Sequence, residues 1–158
     1  MIHVLFVCLG NICRSPMAEA VFRHQVKEAK LEHEISVDSA GTGDWHIGKP
    51  PHEGTRNKLT EMKINQDGMR ARQVTAADFT TYDYVIAMDD QNVQNLQAVG
   101  AGAADRVIKL LDLLPDQPVR NVPDPYFTGN FDEVYELINK ACSRLLEKVR
   151  AEHGIEAD

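Results

Sequence analysis

The 158-residue sequence has only three cysteines, Cys8, Cys13 and Cys142, and an odd number argues against a secreted disulfide framework. It lacks any apolar stretch near the length needed to span a bilayer. The run from Val4 to Leu9 is too short for the core of a secretory signal, and Gly10 and Asn11 follow it at once. Excess positive charge is missing too: 17 Lys and Arg stand against 24 Asp and Glu, a net charge of −7. Such a chain repels a polyphosphate backbone at long range. These absences predict a cytoplasmic protein that partners neither nucleic acid nor membrane. There is also no internal repeat, low-complexity tract or linker.

What remains is ordinary globular composition, 43% hydrophobic and 26% charged, in a chain of one domain's length. At this size folding hides roughly two-thirds of the unfolded surface, so neither disulfides nor a structural metal is needed. Val4-Leu5-Phe6-Val7 is apolar without alternation, the pattern of a strand covered on both faces. From Ser15 the period changes. Ala18, Val21, Phe22, Val26 and Ala29 fall at helical spacing, with Glu19, Arg23, Lys27 and Glu28 opposite. Ser15 is the expected N-cap and Pro16 the first helical residue.

Further strands are expected at Ile35–Ser39, Tyr84–Met88 and Val107–Leu111. Helices are expected from about Glu53 to Met62, from an Asp89 cap through Leu96, and along the stripe Val134, Ile138, Ala141, Leu145 and Val149. Residues 42–51 and 115–130 read as loops. Strands alternating with helices predict an α/β fold, a single domain over residues 1–154 whose parallel sheet carries helices on both faces. Residues 155–158 are expected to fray.

In an open α/β sheet the ligand site lies beyond the carboxyl ends of the strands. The first such end is Cys8-Leu9-Gly10-Asn11-Ile12-Cys13-Arg14-Ser15. A loop of this length between a strand and a helix can converge successive amides on one point, making an anion-binding nest. Gly10 permits positive φ, and Asn11 is among the few other residues that tolerate it. Arg14 adds a planar fork matched to two phosphate oxygens. Cys8 enters at the edge of this positive field, and a sulfur held against a bound tetrahedral anion is set for in-line attack.

The segment Val7 to Glu19 resembles the opening of the low-molecular-weight protein tyrosine phosphatases. Asp38-Ser39-Ala40-Gly41-Thr42, Ala71-Arg72-Gln73, Ala87-Met88-Asp89 and Asp124-Pro125-Tyr126 also resemble family segments, in the family's order. The resemblance implies a four-stranded parallel sheet, with the phosphate loop between the first strand and first helix, and a two-step mechanism needing no cofactor or metal. It makes Cys8 the nucleophile that becomes a phosphocysteine. Arg14 and the amides of Leu9, Gly10, Asn11, Ile12, Cys13 and Ser15 would hold the phosphoryl oxygens. Asp124 would be the acid and then the base, and Asn11, Ser15 and Ser39 would brace the loop. The implied partners are tyrosine-phosphorylated proteins, with inorganic phosphate as product and inhibitor, and the chain is expected to be a monomer or to self-associate weakly.

The residues themselves agree about Asp124. A phenol leaving phosphate needs its oxygen protonated, and the two prolines flanking Asp124 restrict where its carboxyl can go. Trp45 and Tyr126 lie in the loops best placed to flank the mouth and select an aryl ester. Ile12 stands where protein-arginine phosphatases, which resemble this family, carry a small polar Thr, and an apolar side chain there favours a flat ring over a guanidinium group. Two departures stand out: Phe127 where many relatives have a second Tyr, and Met69 where some place a His supporting Asn11.

Other motifs carry less. Gly43 to Lys49 mimics a nucleotide loop, but Pro50 replaces the hydroxyl that would bind magnesium. His52-Glu53 lacks the second His of a zinc protease, so no metal site is predicted. Cys142 sits on the apolar stripe of the last helix and reads as core. Arsenate reduction on the same fold would need a further accessible cysteine. A non-enzymatic phosphate-binding module would have no use for Cys8, Arg14 and Asp124 together. Cys8 and Cys13 share one tight loop and could form a reversible protective disulfide.

Overall fold

The computed structural model describes residues 1–100 and 106–155. The sheet is built from β1 (Ile2–Cys8), β2 (Ile35–Gly41), β3 (Tyr84–Ala87) and β4 (Val107–Lys109). All pairings are parallel, as expected, and the order is β2-β1-β3-β4, so β1 lies inside the sheet. Both its faces are covered. Val4, Phe6 and Cys8 face the larger core, with Phe22 of α1 (Arg14–Glu28) and Ile138, Cys142 and Leu145 of α6 (Phe131–His153). Leu5 and Val7 face a smaller core with Val85, Ala87, Phe79 and Leu96. The missing alternation in Val4–Val7 is the mark of this double burial.

Between these elements lie α2 (Glu53–Glu61), the short α3 (Asp78–Thr81), α4 (Asp90–Gly100) and α5 (Pro125–Thr128). Helix α6 is well signalled at both ends. Asn130 accepts from the Glu133 amide, and Gly154 closes the helix at φ 67°. Ile155 then donates its amide to the Arg150 carbonyl and packs against the larger core, so order extends one residue into the tail expected to fray. The other three tail residues lie outside the described residues.

Several expectations are corrected. The first helix begins at Arg14 with Cys13 at the capping position, not at Pro16 with Ser15 as cap. The Ser15 hydroxyl is instead engaged by Cys8 and Asn11, which leaves it unavailable to the helix end. Glu19 is not on a solvated face: it is 6% exposed and bonded to Ser39 and Arg23. The fourth strand stops at Lys109, because Leu110 and Leu111 turn into a short 3-10 helix (Leu110–Leu113) that buries both side chains in the larger core. Helix α4 runs on to Gly100, past Leu96, with the Asp89 carboxylate accepting from the Asn92 amide. The 115–130 loop contains α5, capped by Asp124, started by Pro125 and ended by Gly129.

Candidate active site

The β1–α1 loop curls at the carboxyl end of the central strand, and its carbonyls are tied outward. The Cys8 and Leu9 carbonyls each accept from a backbone amide, Thr42 and Gly43 respectively, at 2.9 Å. The Ile12 carbonyl accepts from the His52 amide at 2.7 Å, and the Cys13 carbonyl from Met17 N and Thr55 Oγ1. The peptides here are trans, and in a planar trans peptide the N–H points opposite to the C=O. The amides of Leu9, Gly10, Cys13 and Arg14 are therefore turned away from these tethers. Asn11 takes the left-handed conformation, at φ 56°; Gly10, expected to share that role, does not, but a Cβ there would lie 3.0 Å from the His46 ring.

A polar brace sits behind the loop. Asn11 Nδ2 donates to Ser15 Oγ at 2.8 Å and to Ser39 Oγ at 2.9 Å, while its Oδ1 accepts from the Arg72 amide at 3.0 Å. Cys8 Sγ lies 3.0 Å from Ser15 Oγ, and Ser39 passes the chain to Glu19 Oε1 at 2.6 Å. Met69, the departure noted above, packs in the larger core, and the Asn11 side chain finds its partners without a histidine there.

Arg14 is 3% exposed. Its Nη1 donates to Asp89 Oδ2 at 2.6 Å and to the Val122 carbonyl at 2.9 Å, and its Nη2 lies 3.6 Å from Asp124 Oδ2. Burial alone would lower the pKa of the guanidinium, but Cys8, Asp89 and Asp124 hold it above the ordinary arginine value. The neighbouring Cys13 is the reverse case. Burial first, then the nearby Cys8 and Asp124, push its thiol up to about 12.

Cys8, Leu9, Gly10, Ile12, Cys13, Arg14, Trp45 and Asp124 line one cavity of about 120 Å³, with His46, Tyr126 and Phe127 completing its rim. Asn11, Ser15 and Ser39 brace it from behind. All twelve residues singled out from the sequence thus meet at one place. Trp45, Tyr126 and Phe127 are 64%, 54% and 76% exposed, an unusual display of aromatic surface. Asp124 Oδ1 also accepts from the Tyr126 amide at 3.0 Å, so the carboxylate and the aromatic wall share α5.

Sequence reasoning missed Asp89 as a site residue, and missed His46 and Glu19. The carboxyl ends of β3 and β1 are adjacent, and that rule alone could have marked Asp89. Among the described residues no group of three or more His, Cys, Asp or Glu is placed to hold a metal ion, and no helix is long and apolar enough to cross a membrane.

Comparison with known proteins agrees with the geometry. The family model described as low molecular weight phosphotyrosine protein phosphatase matches residues 3–154. The chain is 52% identical over 153 residues to the low molecular weight protein-tyrosine-phosphatase YfkJ of Bacillus subtilis, covering 96% of this chain and 98% of that one. It is 43% identical over 149 residues to the low molecular weight protein-tyrosine-phosphatase PtpA of Staphylococcus aureus, covering 94% of each. The crystal structure of YfkJ superposes with a TM-score of 0.94 over 96% of both chains.

Proposed function

Since the chain belongs to the low-molecular-weight protein-tyrosine-phosphatase family, we propose that it works through a phosphocysteine formed on Cys8. The phosphatase activity follows from the family. The phosphoryl group of a phosphotyrosine enters the cavity, its oxygens meeting the inward amides and the Arg14 fork. Cys8, as the thiolate, attacks phosphorus in line. The S–P bond forms as the P–O(aryl) bond breaks, and the leaving oxygen takes the proton of the Asp124 carboxyl. Asp124, now a carboxylate, takes a proton from water; the water oxygen attacks phosphorus and the thiolate departs. Phosphoryl transfer demands positioning and charge stabilisation above all, and no step calls for a metal. Asp89 acts through Arg14, holding the fork by its Nη1.

The observation that carries this reading is the meeting of Cys8, Arg14 and Asp124 in one cavity, with Arg14 Nη2 3.6 Å from Asp124 Oδ2. A buried guanidinium touching both the anion cradle and a carboxylate links the attacking and leaving sides of one phosphorus. The rim supports an aryl ester, since Trp45, Tyr126 and Ile12 offer apolar faces to a ring. That also weighs against a guanidinium phosphate. Arsenate reduction is disfavoured by Cys142, which is fully buried and cannot relay electrons from the surface. Action in a reducing cytoplasm, as a monomer or weakly associated species, belongs to the same reading.

The test is hydrolysis of p-nitrophenyl phosphate in EDTA, with Cys8→Ser inactive. Phosphotyrosine, phosphoserine and phosphoarginine peptides are then compared on one preparation. Asp124→Asn should suffer most on poor leaving groups; equal loss across leaving groups would remove its acid role. Preference for phosphoarginine would overturn the substrate assignment.

A further inference from the structure

We propose that His52 is a positioning residue that sets the aromatic wall and, through it, the general acid; this rests on the roles just given to Tyr126 and Asp124. His52 lies at the junction of four parts of the molecule. Its backbone amide donates to the Ile12 carbonyl at 2.7 Å, one of the tethers of the loop. Its Nδ1 accepts from the Gly54 amide at 3.0 Å and so caps α2. Its ring stacks on Phe131 at the start of α6, with centroids 5.4 Å apart and planes 20° from parallel. The other side of the junction is Tyr126, met edge-on at 5.9 Å and 76°.

Each neighbour is anchored in turn. Phe131 packs against the cluster of Ile12, Cys13 and Ala71, two of which belong to the cradle. It reaches that place because residue 54 has no side chain: a Cβ there would lie 2.3 Å from the Phe131 ring. Tyr126 is otherwise half-exposed, packed edge-on against a still more exposed Phe127. Helix α5 is four residues long and has little intrinsic stability of its own. The His52 ring is thus a fixed surface against which Tyr126 can rest. Since the Tyr126 amide is held by Asp124 Oδ1, a displaced Tyr126 carries the acid with it.

Two variants separate this role from the helix cap. His52→Asn keeps a capping oxygen and loses the ring, whereas His52→Phe keeps a ring and loses the cap. A ring–ring contact of this kind supports an effect of about three- to tenfold. His52→Asn should lose kcat/KM by that factor on phosphotyrosine well below its transition, with a Tm lowered only modestly by the loss of the ring from Phe131. The loss should be larger for phenyl phosphate than for p-nitrophenyl phosphate, because only the former depends on a well-placed acid. His52→Phe should lower Tm while keeping most of kcat/KM below its transition. Gly54→Ala, which displaces Phe131 and not His52 itself, should shift the same leaving-group dependence in the same direction, and it decides the matter if either histidine variant fails to fold. Activity that follows Tm across the series, or full activity in His52→Asn, overturns the positioning role while leaving the phosphatase reading intact. Absence of aryl phosphate turnover in the unaltered enzyme overturns both.

Discussion

Asp89→Asn tests how the buried arginine is held. The side chain of Arg14 is 3% exposed and that of Asp89 23%, and Arg14 Nη1 donates to Asp89 Oδ2 at 2.6 Å. The substitution keeps shape and leaves Oδ1 able to accept from the Asn92 amide, now 2.8 Å away, so the cap of α4 survives. What is lost is the charge, and with it a carboxylate acceptor facing the guanidinium. A hydrogen bond to a charged group contributes about 1.5–3 kcal/mol. Partial exposure of Asp89 points to the lower end, and ~1.4 kcal/mol is a factor of ten in rate. Without Asp89, Arg14 Nη1 keeps only the Val122 carbonyl, and the guanidinium swings toward Asp124, 3.6 Å from Nη2. The expected outcome is roughly a tenfold fall in kcat/KM, a weaker competitive inhibition by phosphate, and a Tm lowered by about 2–4 °C per kcal/mol of the lost hydrogen bond. Steady-state kinetics with a phosphate inhibition series and a thermal melt give all three. Unchanged kcat/KM and unchanged phosphate inhibition, whatever the Tm, would refute the reasoning and leave Asp89 a purely structural partner of Arg14.

Three further outcomes are expected. Gly41→Ala should impair turnover and cost about 1–3 kcal/mol in a urea melt, because a Cβ there would meet Leu9 O at 2.9 Å and Gly10 C at 3.1 Å, which are backbone atoms of the cradle; wild-type kinetics would show that the cradle has slack. Arg14→Lys should lose most activity despite its charge, since an ammonium cannot reach Asp89, Val122 and a phosphate in one plane, and turnover near wild type would sink the fork argument. Stability should fall in alkali: burial raises the thiol of Cys142 above its ordinary 9.0 and that of Cys13 to about 12. The unfolded chain loses these protons first, so the stabilisation is complete below pH 9.0 and is lost as pH rises toward the folded values, by about 1.4 kcal/mol per pH unit for each thiol. Urea midpoints from pH 8 to 11 should show a shallower fall in Cys142→Ala, and parallel slopes would contradict the account.

Much of the site was legible because its chemistry is local in sequence. Eight of its residues are consecutive, from Cys8 to Ser15, at a place where an apolar run gives way to helical spacing. Other parts were hidden for identifiable reasons. Ser15 looks like a cap because caps are usually local, whereas here Cys8 and Asn11 have claimed its hydroxyl. Glu19 looks solvated because a carboxylate on a helix usually is, yet Ser39 on the neighbouring strand and Arg23 satisfy it in the interior. Asp89 lies 75 residues from the arginine it holds, and its visible signal is spent on α4. Helix α5 carries a legible start and stop, Asp124-Pro125 and Gly129, but four residues are too few for periodicity to register.

The outward carbonyls of the β1–α1 loop have a bearing on how this enzyme can be damaged. A pocket made largely of peptide groups is indifferent to many side-chain exchanges inside it, for the chemistry it offers is common to every residue. Its weak points are the tethers, and three of these, the amides of Thr42, Gly43 and His52, belong to a stretch some thirty to forty positions downstream. A proline at any of the three would delete one such anchor without touching a reacting atom. Apart from Cys8, Arg14 and Asp124, inactivating lesions should therefore gather in a segment that contributes only a rim to the pocket.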